Sequence, residues 1–186
     1  AVIGRLLQQL MARARRGATV TVTTDAVSTA QDRLAGIGPV VRGLLARPTG
    51  DADRAWDRVV LQPIVSAGVL ALLDREGARE ALVTPPLTAD HLIRTRSLPL
   101  WIEAPAWGDD KALRAQFGAA IDAYRAAYLE YVERHRAEMP GGLGEFDPSP
   151  RVVLVPGLGA ICAGRNAREA AIARDITAQT LDVKSR

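Results

Sequence analysis

Cysteine, histidine and lysine are almost missing from this sequence: one Cys (Cys162), two His (His91 and His135) and two Lys (Lys111 and Lys184). A single thiol closes no internal disulfide, and nothing else points to an oxidising compartment, so the cytoplasm is the expected location. Two histidines far apart in sequence and one cysteine form no metal motif, and no metal is expected on these residues. Aromatics make up only 4%, and a net charge of +3 is carried almost wholly by arginine. Nucleic-acid binding calls for a basic stripe interleaved with stacking rings, so that partner is not expected. Apolar runs fall short of the roughly 20 residues that span a bilayer, which sets a membrane partner aside.

The remainder is ordinary for one globular domain: 48% hydrophobic and 24% charged residues over 186 positions, enough to bury a sizeable core. Val2, Ile3, Leu6, Leu7, Leu10 and Met11 recur at helical spacing up to Arg16, and Thr19 to Thr23 reads as a short strand. The sequence opens at Ala1 inside that helical pattern, as an excised piece of a longer polypeptide would. A second helical pattern runs from Ser28 to Leu34, breaks at Gly36, Gly38 and Pro39, and resumes to Leu45. Pro48 to Asp51 is the clearest linker. It separates a helical lead-in, residues 1–47, from an α/β module, residues 51–186.

Within the module, Arg58 to Leu61 reads as a strand, and Ser66 caps a helix from Ala67 to Asp74. Leu82-Val83 and Leu98 to Ile102 read as further short strands, with a proline-pinned turn and a Thr88-capped helix between them. Asp109 opens the longest helix, whose stripe Leu113, Phe117, Ile121, Tyr124, Tyr128, Tyr131 and Val132 extends to about His135. Arg151 to Val155 is the most secure strand, a continuous apolar run of the kind covered on both faces. Ala160 to Ala163 and a helix from Ala167 to Val183 complete the chain. The fold class expected is α/β, a layered sheet of four to five strands with flanking helices, Rossmann-like or degenerate aldolase-like, after the helical lead-in.

Residues that could carry chemistry form two groups. His91 with Thr88, Arg94, Thr95 and Arg96 could face one anion, since arginine forks suit phosphate and carboxylate, and His91 is the one candidate acid-base group. The plain alternative pairs Asp90 with Arg94 one turn on and leaves the group to stabilise a turn. Gly157 and Gly159 follow a buried strand, where a phosphate-cradling loop would sit. Their spacing to Gly164 fits neither a dinucleotide fingerprint nor a Walker loop, which favours a tight hairpin. No tyrosine has a lysine four residues later, and no serine or cysteine sits in a nucleophile elbow.

The segments Pro48-Thr49-Gly50, Val59 to Leu73, Thr84-Pro85-Pro86-Leu87-Thr88-Ala89-Asp90-His91-Leu92-Ile93-Arg94-Thr95, Ala123 to His135 and Arg151 to Gly159 together resemble one family. It is the middle region of bacterial bifunctional proteins that join a class II aldolase/adducin domain to a short-chain dehydrogenase, rhamnulose-phosphate aldolase/alcohol dehydrogenase-like. The resemblance covers about residues 48 to 186. It implies a parent enzyme of carbohydrate metabolism with a divalent metal and NAD(P), and no cofactor in this segment. It implies as partners the flanking aldolase and dehydrogenase domains, with a homo-oligomer as a further option. The paired-histidine zinc motif and the dehydrogenase motifs are absent. Leu158 stands before Gly159 where an aldolase places a metal-binding histidine. Three readings stay open: a connecting scaffold with an anion site, a part of a composite active site, and a structural oligomerisation domain.

Overall fold

The computed structural model of the chain describes residues 23–139 and 147–185. The amphipathic pattern within residues 1–16 and most of the strand expected at 19–23 lie outside them. Helix α1 spans Thr24–Leu44, and the Thr23 hydroxyl caps it by accepting the Ala26 N–H at 3.3 Å. The break expected at Gly36, Gly38 and Pro39 does not occur. Pro39 does cost the helix one backbone bond, to the carbonyl of Ala35, but both residues are exposed, so that carbonyl is open to solvent. Ile37, Val41 and Leu45, buried at four-residue steps, hold the segment helical through the weak positions.

A two-residue antiparallel ribbon, β1 (Arg47–Pro48) and β2 (Trp56–Asp57), follows where the linker was expected. The main sheet contains β3 (Val60–Ile64), β4 (Leu100–Trp101), β5 (Val152–Val155) and β6 (Gly159–Gly164), in the order β3-β6-β5-β4. Only β4 and β5 are parallel; the other two pairings are antiparallel. The α/β layered class is as expected. β3 begins two residues later than the sequence suggested, because the Val59 carbonyl accepts Arg42 Nε at 2.9 Å instead of joining the ladder. Pro63 is tolerated in β3 because β3 is an edge strand.

Side chains of the two central strands alternate between two apolar layers. Val153, Val155, Ile161 and Ala163 point to one cluster, with Ile37, Val41 and Leu45 of α1 and Leu113, Phe117 and Ile121 of α5 (Asp110–Arg134). Val152, Leu154, Ala160 and Cys162 point to the other, under α2 (Ala67–Leu73), α3 (Ala78–Leu82) and α6 (Ala167–Ser185). The result is three layers, helix, sheet, helix. Each Leu, Ile or Phe fully buried this way contributes about 1.5–3 kcal/mol. The helix of the first region thus shares one core with the module.

The strand expected at Leu82-Val83 is instead the end of α3. Gly77, at φ +70°, starts that helix, and Ala78 and Leu82, one turn apart, are both buried in the second cluster. The strand expected over Leu98 to Ile102 pairs only at Leu100 and Trp101. Expected caps are in place: Ser66 accepts the Val69 N–H at 3.3 Å, Asp109 the Ala112 N–H at 2.9 Å, and Thr88 the His91 N–H at 3.3 Å to open α4 (Ala89–Thr95). Past α5, a short 3-10 turn runs from Arg136 to Glu138.

β5 and β6 are joined by a tight turn in which the Leu158 N–H bonds the Val155 carbonyl at 3.0 Å, with Pro156 and then Gly157 at φ +70° between them. Gly159 is more constrained still, with φ +121° and an added Cβ 2.3 Å from the Ile64 carbonyl oxygen. Gly159→Ala is therefore expected to destabilise the fold by about 2–4 kcal/mol in urea unfolding. Gly36→Ala, in open space inside α1, is expected to stabilise it by about 0.5–1 kcal/mol.

Candidate functional site

The hairpin turn is held by its own protein on both sides. Asp74 Oδ1 accepts the Gly157 N–H at 2.8 Å, and Arg33 donates to the Gly157 carbonyl at 2.8 Å while lying over the Trp107 ring at 4.5 Å. The amide that a bound phosphate would need is spent on a carboxylate. Gly159 sits against the backbone of Ile64, as the hairpin alternative requires.

Around α4 the candidate residues diverge. Thr95 is buried and donates its hydroxyl to the His91 carbonyl at 2.8 Å, while Thr88 is engaged as the cap. Arg94 is exposed and forms no ion pair with Asp90. Arg96 adopts φ +72°, which turns its side chain away from the helix. It donates to the Asp147 carbonyl at 2.6 Å and lies 5.4 Å from the Tyr128 ring centroid. His91 Nδ1 and Arg96 Nε are buried without a hydrogen-bond partner.

A small cleft of about 40 Å³ lies between the end of α3, the residues after α4, strand β5 and α6. Its floor is apolar, formed by Leu82, Val152, Leu154 and Leu181. Thr95, Arg96 and Lys184 line it, whereas His91, Arg94, Thr88 and the turn glycines do not. Lys184 donates to the Leu82 carbonyl at 3.1 Å, and burial pulls its ammonium below the usual lysine range. An apolar floor with two cations at the rim has room for no more than a single small anionic group.

Beside the cleft a charge network ties the segment before β5 to α6. Arg151 sits 3.5 Å from Asp147 and 4.0 Å from Glu169, and Arg165 meets Glu169 at 2.7 Å. Burial pulls the Arg151 guanidinium down, and the Asp147 carboxylate opposes that pull. The hydrogen bond from Arg165 holds the Glu169 carboxyl below its ordinary range. Neither Lys184 nor Arg151 was singled out from the sequence. Arg151, placed directly before the apolar strand, was the one available signal.

Over residues 32–186 the chain matches the family described as the second domain of class II aldolases. It belongs to that family. It is also 27% identical over 134 residues to the protein named Uncharacterized oxidoreductase YuxG of Bacillus subtilis strain 168, an alignment covering 72% of this chain and 18% of that protein. The chain thus spans about a fifth of the length of the curated relative it matches. No solved structure matches it.

In this aldolase second domain, no group of three or more His, Cys, Asp or Glu among the described residues lies placed to hold a metal ion. No helix among the described residues is long and apolar enough to cross a membrane. His135 caps the end of α5 and faces Glu138 at 3.3 Å. Cys162 lies in the core of β6, where burial pushes its thiol up to about 12.

Two outcomes follow from these groups. Thiol reagents at pH 8 should leave native Cys162 unlabelled and modify it fully in denaturant, and free labelling of the folded chain would contradict its burial. Stability associated with the protonated thiol is fully present below the ordinary value of about 8.5 and falls as pH rises from there toward 12, at about 1.4 kcal/mol per unit at most. Glu169, with its carboxyl held low, works in the opposite sense. Its contribution is present above the ordinary carboxylate value of about 4.3 and is lost on acidification, so Glu169→Gln should flatten the acid limb of stability against pH.

Proposed function

We propose that this chain is the connecting, non-catalytic module of a longer carbohydrate-metabolising polypeptide, placed between a class II aldolase domain and a short-chain dehydrogenase domain. The observation that carries the reading is the family match over residues 32–186. In support, the relative bears the name of an oxidoreductase, and this chain spans only 18% of it. On this reading the divalent metal and NAD(P) belong to the flanking domains, in a cytoplasmic enzyme. The module supplies interdomain scaffold and the cleft at Arg96 and Lys184, which receives the phosphate of a sugar phosphate.

One observation favours a second reading, a composite active site to which this chain lends a proton-transfer group. His91 Nδ1 is buried without a hydrogen-bond partner in this chain, a polar group that a neighbouring domain packed against α4 would satisfy.

Titration calorimetry of the 186-residue chain with inorganic phosphate, sugar phosphates and NAD(H) separates the readings. The scaffold reading expects phosphate and sugar phosphates to bind weakly, with no heat from NAD(H). Lys184→Met should weaken binding about tenfold or more, and His91→Ala should leave it unchanged. Loss of binding in His91→Ala would favour the composite site. Silence from a folded chain would remove the anion site, and turnover of a sugar phosphate by the isolated chain would overturn the non-catalytic role.

A further inference from the structure

Most of the large apolar side chains left exposed belong to two neighbouring elements, with Trp56 and Val183 elsewhere. Leu87, Leu92, Ile93 and Leu98 lie on or beside α4, and Leu129 and Tyr131 on the distal half of α5. These two elements adjoin, because the Tyr124 hydroxyl donates to the Leu98 carbonyl at 2.8 Å and Arg96 lies over Tyr128. Beyond Ile121, α5 has no fully buried residue: Tyr124, packed against the core, and Tyr128 are half-buried, and Leu129 and Tyr131 are exposed.

Charge on this face shows what would cover it. On distal α5 the charges are satisfied within the chain: Arg134 pairs with Glu130 at 3.2 Å, Arg136 with Glu133 at 2.6 Å, and His135 faces Glu138. On α4 they are not. Asp90 and Arg94 are exposed and make no ion pair, although one helical turn separates them. By helical geometry Ile93 projects opposite buried Thr95, at the outermost point of α4, and is 73% exposed. Asp90 and Arg94 sit together on one flank of it. When two identical helices pack antiparallel about a two-fold axis, the same flank meets itself in reverse order. Asp90 of one copy then faces Arg94 of the other, twice, around a centre made of two Ile93 side chains.

We infer that this face binds a second copy of the same chain, in an isologous dimer centred on Ile93 with two reciprocal Asp90–Arg94 pairs. The inference stands apart from the scaffold reading, since neither the cleft nor the flanking domains enter it.

Sedimentation velocity on the 186-residue chain tests it. The wild-type chain is expected at twice its 19.9 kDa mass at concentrations up to about 0.1 mM. Ile93→Glu should return it to the mass of one chain. Asp90→Arg should weaken association about tenfold or more by setting like charges opposite each other twice. The double reversal Asp90→Arg with Arg94→Asp should restore the dimer, because only a partner bearing the same two residues is reversed at the same time. Trp56→Ala, an exposed aromatic off this face, should leave the dimer intact, with circular dichroism confirming that every variant is folded. A monomeric wild-type chain, a dimer that survives Ile93→Glu, or a double reversal no better than the single one would overturn the proposal; the last would point to a different partner for the same face.

Discussion

Everything in this molecule is arranged around the β5–β6 hairpin, whose ten strand residues are all buried. A hairpin covered on both faces must present apolar side chains in both directions, and it does so by strict alternation between the α1/α5 layer and the α2/α3/α6 layer. That requirement explains the glycines at its ends. Gly159 passes under the carbonyl of Ile64, and Gly164 under the backbone of Ala170, at distances that admit no Cβ. The same requirement sends β3 and β4 to the edges, where Pro63 and a two-residue pairing are tolerated.

Polar chemistry is then confined to the ends of the strands. At the turn, Asp74 and Arg33 occupy the two backbone groups of Gly157 and fasten α1 and α2 to the hairpin. At the other end, the Arg151, Asp147, Glu169 and Arg165 network fastens α6 to the start of β5. The largely shielded Arg151–Asp147 pair adds little net stability once desolvation is counted, but removing one partner strands the other. These ion pairs fix geometry, and the cleft beside them inherits its position from it.

The long elements were legible because each bears its own signal. Ser66, Thr88 and Asp109 announced three helix starts, and the run Val152 to Val155 could only be a covered strand. The class II aldolase part of the family resemblance agrees with the match to the class II aldolase second domain. Local signals misled where tertiary burial outweighed them. Three residues with poor helix propensity read as a break in α1, yet Ile37 and Val41 on either side are anchored in the core. Leu82-Val83 read as a strand because its partner in burial, Ala78, lies one helical turn back rather than beside it.

The candidate anion group shows the same limit at the level of a site. Thr88, His91, Arg94, Thr95 and Arg96 are neighbours in sequence, but α4 divides them between an inward side, an exposed side and a cap. A positive φ at Arg96 sends its guanidinium to the Asp147 carbonyl, 51 positions away. By itself the sequence determined the layered α/β class, the caps and the central strand, all of which depend on contacts within a few residues. Only the tertiary structure decided that Lys184 joins Arg96 at one cleft, and that the face of α4 bearing Asp90, Ile93 and Arg94 is left open. Those groupings depend on which elements the doubly covered hairpin draws together, and no local pattern encodes that choice.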